Sequence, residues 1–373
     1  MNGVCHPKTF DLMTLVDKRS FYFFLVGVFF SFVGCSENNS NPNFNEILGY
    51  AQGTTFKVVY EDSLHRDFSY EIDSILNDFD RALSLYVDSS ELLTLNNSEN
   101  QYHQLNKNNY LVNCINQAKF IYEFTDGAFN PAIYPLVKYW NSSSLTLNDS
   151  IEKNTINSTL QITSFSDTSF FLVDSTFLND KSVLNETTFL FKLNPFSQLD
   201  FNAIAQGYSV DVVSSFLESM GSLNFMVEIG GEVVCRGINP LNKQWKIGID
   251  QPIENSMPGQ HDFQCVVKLD NRALATSGNY RKFYKKNGKK YSHTIDPHTG
   301  YPVNHSLLSV SVLAGDAATA DGFATAFMVM GEEKAISFIK SNPELGLDAY
   351  FVVGKKDGNS IQMTEGMRDY LVN

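Results

Sequence analysis

The apolar positions of this chain change their period several times, and each change marks an element. Gly53-Thr54-Thr55 leads into the alternating run Phe56-Lys57-Val58-Val59-Tyr60, which predicts a strand. Across 68–85 the period lengthens: Ile72, Ile75, Leu76 and Phe79 recur at helical spacing. Leu111, Cys114, Ile115, Ala118, Ile121 and Tyr122 repeat that spacing, and Gly127 follows as a stop. Residues 141–188 are polar and rich in Ser, Thr and Asn, which predicts peripheral structure between two halves of a domain. Beyond them, 225–229 and 232–235 flank Gly230-Gly231, a two-residue turn that suits a hairpin. Further strands are expected at 245–250, 264–269, 307–313 and 347–353. Helices over about 206–220 and 318–330, ended by Gly221 and Gly331, interrupt them. Hairpins and helices mixed in this order, without a solenoid repeat, predict an α+β fold.

The remaining composition narrows the function. With 373 residues, 43% of them apolar, the chain has enough to bury a real core in one large domain or two smaller ones. Its formal charge is -13 and no stretch gathers Lys and Arg into a stripe, so no nucleic-acid partner is expected. The same acidity means that an anionic ligand needs a cation or backbone amides to hold it. Of five cysteines, Cys114, Cys235 and Cys265 fall in apolar stretches without a Cys-x-x-Cys pair and are expected as buried free thiols.

The N-terminus reads as an export signal. Residues 21–34 carry no charge, follow Lys18-Arg19 and end at Cys35, ahead of polar Ser36-Glu37-Asn38-Asn39-Ser40. Such a run is too short for the roughly 20 residues of a membrane-spanning helix but ordinary for a signal peptide. Cys35 directly after small Gly34 resembles the lipobox of bacterial lipoproteins, although Phe32 stands where Leu is usual. The expected organisation is a signal peptide over 1–34, lipidated Cys35 with a flexible tether to 47, and a folded domain over 48–373. That places the protein on the periplasmic side of a membrane through a lipid anchor. An uncleaved anchor or a plain secretory signal are the other readings, and Met13 offers a more typical start than Met1.

Three distant segments carry the candidate chemistry: Asp200 to Tyr208, Ser292 to Pro297 and Ala320 to Thr325. Asp321 and Thr325, four apart on a helix, project from one face and offer a carboxylate and a hydroxyl to one hard cation; equally, they suit a helix-dipole carboxylate and a core-facing hydroxyl. Asp200 precedes a small-residue turn into a helix, where it either accepts from a ligand or caps that helix. Gly207 permits close backbone approach. His293 either takes a proton from an attacking hydroxyl or is a structural hydrogen-bonder. Hard oxygen ligands, a Gly turn and one imidazole suit a magnesium-held pyrophosphate better than a thiol or haem site.

Further motifs join these in order: Gly53-Thr54-Thr55, Leu85-Tyr86 with Ser89-Ser90-Glu91, Gly127-Ala128-Phe129-Asn130-Pro131, Gly230-Gly231, and Ala275-Thr276-Ser277-Gly278-Asn279-Tyr280-Arg281. From about Gly49 to the C-terminus the chain resembles the ApbE family, the FAD:protein FMN transferases. The resemblance implies a single domain of two mixed α/β subdomains with FAD bound in the cleft between them, and Mg2+ on its pyrophosphate. A Thr or Ser hydroxyl of an acceptor protein then attacks the FMN phosphorus and AMP leaves. It implies metal ligation by Asp321, Thr325 and the Ala203 carbonyl. It implies FAD contacts at Gln52, Tyr86, Ala128, Phe129, Asn130, Asp200, Gln206 and Ile295, and an essential His293. Gln52 stands where the family usually has Met, and Asn130, where Asp is frequent, brings no negative charge. Two alternatives keep the same residues: a Mg2+-dependent FAD pyrophosphatase, with water as acceptor, and a non-catalytic flavin-binding lipoprotein.

Overall fold

The computed structural model describes residues 43–106, 109–142, 149–166, 169–174, 187–253, 262–279, 283–286 and 289–372. The expected signal peptide, Cys35, most of the tether, and Tyr280 and Arg281 lie outside the described residues.

Eight strands form one sheet whose spatial order is the order of the chain: β1 (Phe44–Ala51), β2 (Thr54–Glu61), β3 (Phe225–Ile229), β4 (Glu232–Arg236), β5 (Ala273–Gly278), β6 (Leu307–Ala314), β7 (Asp348–Lys355) and β8 (Gly358–Met363). Every neighbouring pair is antiparallel, so tight hairpins suffice at β1–β2 and β3–β4. Gly230 and Gly231 both take positive φ in the turn that joins Ile229 to its partner Glu232, as their sequence predicts.

One face of the sheet carries the helices α1 (Ser69–Leu83), α2 (Tyr110–Phe124), α3 (Ala205–Ser219) and α4 (Ala317–Met330) over the main core. Phe79, Phe129, Phe201, Phe225, Phe323 and Phe351 are almost wholly enclosed there. Each such side chain contributes about 1.5–3 kcal/mol by leaving water. The opposite face is covered by the hairpin Trp245–Asp250 and Phe263–Leu269, around Trp245, Ile249, Val267, Leu274 and Met367. A second, three-stranded sheet joins Tyr102–Asn106, Thr187–Lys192 and Phe170–Asp174. Lys192 from this sheet is fully buried and donates through Nζ to the carbonyls of Leu95 (3.0 Å) and Ser98 (2.7 Å), at the negative end of the helix Glu91–Asn97. The described residues belong to one compact α+β unit, as the sequence predicts.

Four details add to or depart from what the sequence predicts. The tether expected to run to residue 47 gives way to β1 at Phe44, because Ile47 packs into the main core while the strand pairs with β2 from Phe44 onward. The expected peripheral stretch contains the helix Asp149–Leu160, with Ile156 buried, and the strand Phe170–Asp174. β5 has too few large apolar residues to stand out, since α4 packs closely against its Ala273, Ala275 and Ser277 side. Cys114 and Cys235 are buried free thiols as expected, whereas Cys265 is half-buried.

Candidate active site

The turn after Asp200 and the helix carrying Asp321 meet. The backbone amide of Gly207, on the first turn of α3, donates to Asp321 Oδ2 at 3.1 Å. Only glycine permits the approach: a Cβ on Gly207 would lie 2.3 Å from the Ala317 carbonyl oxygen and 2.9 Å from the Asp321 Cβ. One turn further along α3, Asp211 accepts from the amides of Ala317 and Ala318, both at 2.8 Å, and so closes the N-terminus of α4. Asp316 adds its own cap, accepting from the Thr319 amide at 2.8 Å.

The clamp also satisfies the start of α3. Gly207 is the third residue of the helix, whose first-turn amides have no acceptor within it, and Asp321 supplies one; among the described residues no donor meets the carbonyl of Ala203, just before the helix. Asp321 is 6% exposed, and burial raises its pKa against the opposing Gly207 bond. Thr325, one turn on, shares a 3.3 Å hydroxyl contact with Ser277 of β5. An unbonded carbonyl, a buried carboxylate and a hydroxyl, all oxygens, suit a hard cation such as magnesium. Among the described residues no group of three or more His, Cys, Asp or Glu side chains is gathered for a metal.

β5 also reaches the His293 segment. Asn279 Oδ1 accepts from the hydroxyls of Ser292 (2.6 Å) and Thr294 (2.7 Å), the two residues flanking His293. Only Gly278 separates Ser277 from Asn279, so one strand end connects Thr325 to the imidazole loop. Beyond it, Trp140 Nε1 donates to the Gly300 carbonyl at 2.8 Å and His298 Nε2 meets the Asp126 carbonyl at 2.8 Å. The Gly127 turn and the His293 loop are thereby fixed side by side.

A cavity of about 320 Å3 opens beside Asp200, lined by Leu85, Tyr86, Tyr134, Lys138, Asp200 and Asn202 among others. Tyr86 is 85% exposed at its edge. Asp200 does not cap α3: its Oδ1 accepts from the Asn202 amide at 2.8 Å, and burial pushes its pKa up to about 6. The other expected FAD contacts divide. Gln52 holds a left-handed backbone (φ 53°) in the β1–β2 turn, and its Oε1 accepts from Ser209 of α3 at 3.3 Å. The Gln206 amide group lies over Gly230, where an added Cβ would come within 2.5 Å of Nε2. Ala128 and Phe129 are buried, and the Phe129 amide is already bonded to Thr125 Oγ1. Asn130 is committed through both side-chain ends, to the Ala132 amide and the Thr163 carbonyl, so only backbone is left there for a ligand. Ile295 is buried with Leu136, Trp140 and Ile156 and likewise presents only backbone.

Sequence reasoning gave no separate role to Asp211, Glu232, Ser277 or Asn279. Glu232, the first residue of β4, is 7% exposed; burial and then the Asp321 charge push its pKa well above the carboxylate range. Its place directly after Gly230-Gly231, an acidic residue opening an apolar strand, was the available signal.

A fold of helices on one face of a long antiparallel sheet has known counterparts. The chain belongs to the ApbE family, whose model matches residues 52–351. It is 31% identical to an FAD:protein FMN transferase of Haemophilus influenzae, over 84% of this chain and 87% of that protein. In structure it is similar to the flavin transferase ApbE from Vibrio cholerae, with a TM-score of 0.71 and 29% identity over 88% of this chain and 99% of that one. The apo form of the Pseudomonas stutzeri flavinyl transferase ApbE gives a TM-score of 0.71 at 27% identity, over 88% and 96% of the two chains.

Proposed function

We propose that this chain is an FAD:protein FMN transferase that depends on magnesium and attaches FMN to a Thr or Ser hydroxyl of an acceptor protein. The observation that carries the reading is the Gly207–Asp321 bond, because it brings the 200s turn and the 320s helix into one oxygen-lined site. Asp321, Thr325 and the Ala203 carbonyl would hold the cation, which supplies charge neutralisation at the substrate's linked phosphates.

The chain's own residues do the rest by positioning. The cavity beside Asp200 receives part of the dinucleotide, with Tyr86 at its mouth offering a ring for stacking. Gln52, Gln206 and the backbone at Ala128 to Asn130 and at Ile295 orient it further. The acceptor oxygen bonds to the FMN phosphorus as the bridging P–O bond breaks, and AMP departs with that oxygen. The acceptor's proton passes to an imidazole nitrogen of His293, whose loop is held by Asn279. No protein nucleophile is required, since this class of displacement asks mainly for placement and neutralised charge.

The export signal and Cys35 suggest a lipid-anchored enzyme facing the periplasm. Among the described residues no helix is long and apolar enough to cross a membrane. Incubating the purified protein with FAD, Mg2+ and an acceptor bearing an Asp-Gly-x-Thr/Ser-Gly-Ala-Thr-type sequence, then taking intact masses, tests the activity. An FMN adduct on the acceptor is expected. AMP without an adduct would make the protein a pyrophosphatase, and unchanged bound FAD would make it a carrier.

A further inference from the structure

Glu232 keeps an unpartnered carboxyl oxygen inside the protein. Its side chain is 7% exposed, and Oε2 is enclosed with no hydrogen-bond partner among the described residues. An enclosed carboxylate oxygen with nothing to accept from is costly unless a donor or cation completes it. A second enclosed orphan lies at the same end of the sheet: Gln52 Nε2, in the neighbouring hairpin turn. The two turns are joined by the Gly230 amide, which donates to the Thr55 carbonyl at 3.1 Å. From Gly230 the path to the cation site is short, through the Gln206 side chain lying over it and the Gly207 amide on Asp321. Glu232 and Asp321 are each more than nine-tenths enclosed, and the Asp321 charge is among the influences on Glu232. A neutral amide such as Gln52 cannot compensate two negative charges; a divalent cation with its water can.

We propose that Glu232 is a positioning residue of the cation site, its Oε2 accepting a hydrogen bond from a water carried by the divalent ion that Asp321 ligates. The inference rests on the cation reading given above and adds to it a partner that acts through water. Magnesium retains several waters, and carboxylates that hold such waters orient the ion without touching it. Loss of an outer partner of this kind typically weakens metal binding about 10–100-fold.

The test measures Mn2+ binding to the full-length protein, without FAD, by the electron paramagnetic resonance of free Mn2+. Melting in EDTA is followed in parallel. Glu232→Gln keeps the shape and removes the charge. It is expected to raise the Mn2+ Kd about 10–100-fold while its melting temperature in EDTA is unchanged or higher, because a buried charge is gone. A purely structural Glu232 would instead lower that melting temperature and leave Kd alone, which overturns the proposal, as does an unchanged Kd with unchanged melting. Glu232→Asp, which retracts the charge, is the second variant if the Gln form does not fold, and it must also weaken Mn2+. Asp321→Asn should abolish binding. If the unaltered protein binds no Mn2+, the cation reading itself fails, whereas tight binding by the unaltered protein and Glu232→Gln alike sinks only the role of Glu232.

Discussion

Replacing Gly207 with alanine tests the helix clamp most directly. The new methyl carbon would lie 2.3 Å from the Ala317 carbonyl oxygen, 2.6 Å from its carbon and 2.9 Å from the Asp321 Cβ. Two of these are backbone atoms, so no rotamer change relieves the overlap, and α3 and α4 must part by about 1 Å to restore ordinary contact. Overpacking of this kind costs about 1–3 kcal/mol, and the rigid neighbours put Gly207→Ala at the upper end. With an unfolding entropy near 2 cal/mol/K per residue, that is a fall of about 4 °C in melting temperature for a domain of this size. The larger effect is on turnover: Asp321 sits at the contact, and a displacement of about 1 Å at a reacting centre costs on the order of 100-fold. Gly315→Ala is the control, since an added Cβ there meets nothing within 4 Å. Circular dichroism melts and initial rates of FMN transfer read both quantities. A Gly207→Ala protein that melts and turns over like Gly315→Ala would refute the argument that the α3–α4 contact sets the position of Asp321.

Three further outcomes follow from the same geometry. Asp321→Ala should eliminate metal-dependent FMN transfer in a protein that still gives a cooperative melt; full activity, measured by intact mass, would refute the ligand assignment. His293→Ala should leave the FAD dissociation constant within a few-fold while slowing single-turnover transfer on the order of 100-fold or more, and an unchanged rate would remove it as proton acceptor. For Asp200 the pKa is raised from 3.8 to about 6 by burial. The stability of its protonated form is therefore complete below pH 3.8 and lost as pH rises through about 6. Asp200→Asn should then be more stable than the unaltered protein at pH 8 by up to about 3 kcal/mol, with the difference vanishing toward pH 4. Equal melting temperatures at pH 8 would show that the carboxylate is not strained.

The sequence carried the parts of the fold whose signal is local. The Gly230-Gly231 hairpin and the helices over Asp321 and Gly207 were legible because turn chemistry and helical period act within a few residues. β5 was not, because its small residues are dictated by α4 lying across it, a constraint that exists only once the chain is folded. The site divides the same way. Asp321, Thr325 and Asp200 stand in recognisable segments, yet spacing alone left each balanced between a ligand and a structural role. On the proposed reading Asp321 works with the Gly207 amide, 114 residues away. Glu232 after its glycine pair and Asn279 in its motif offered position alone, and neither has a role in the sequence until its neighbours are known.

Charge ties the cation, the substrate and the fold together. Asp200, Glu232 and Asp321 are each 8% exposed or less, and burial is the leading cause of every shift among them. Among the described residues no cationic side chain is among the influences on any of the three. The chain as a whole is net negative, so its long-range field repels a dinucleotide and cannot be what draws one in. On the proposed reading, a divalent ion between Asp321 and Glu232 removes the strain of burial and reverses the local sign, so that it favours the substrate's phosphates. Those phosphates in turn complete the ion's shell. Each then binds more tightly in the presence of the other, by the same factor, because coupling between two ligands is reciprocal. The energy for gathering anionic substrate at an anionic protein thus comes from carboxylates that are unfavourable until the ion arrives. Replacing them by neutral groups would stabilise the empty protein and weaken the loaded one.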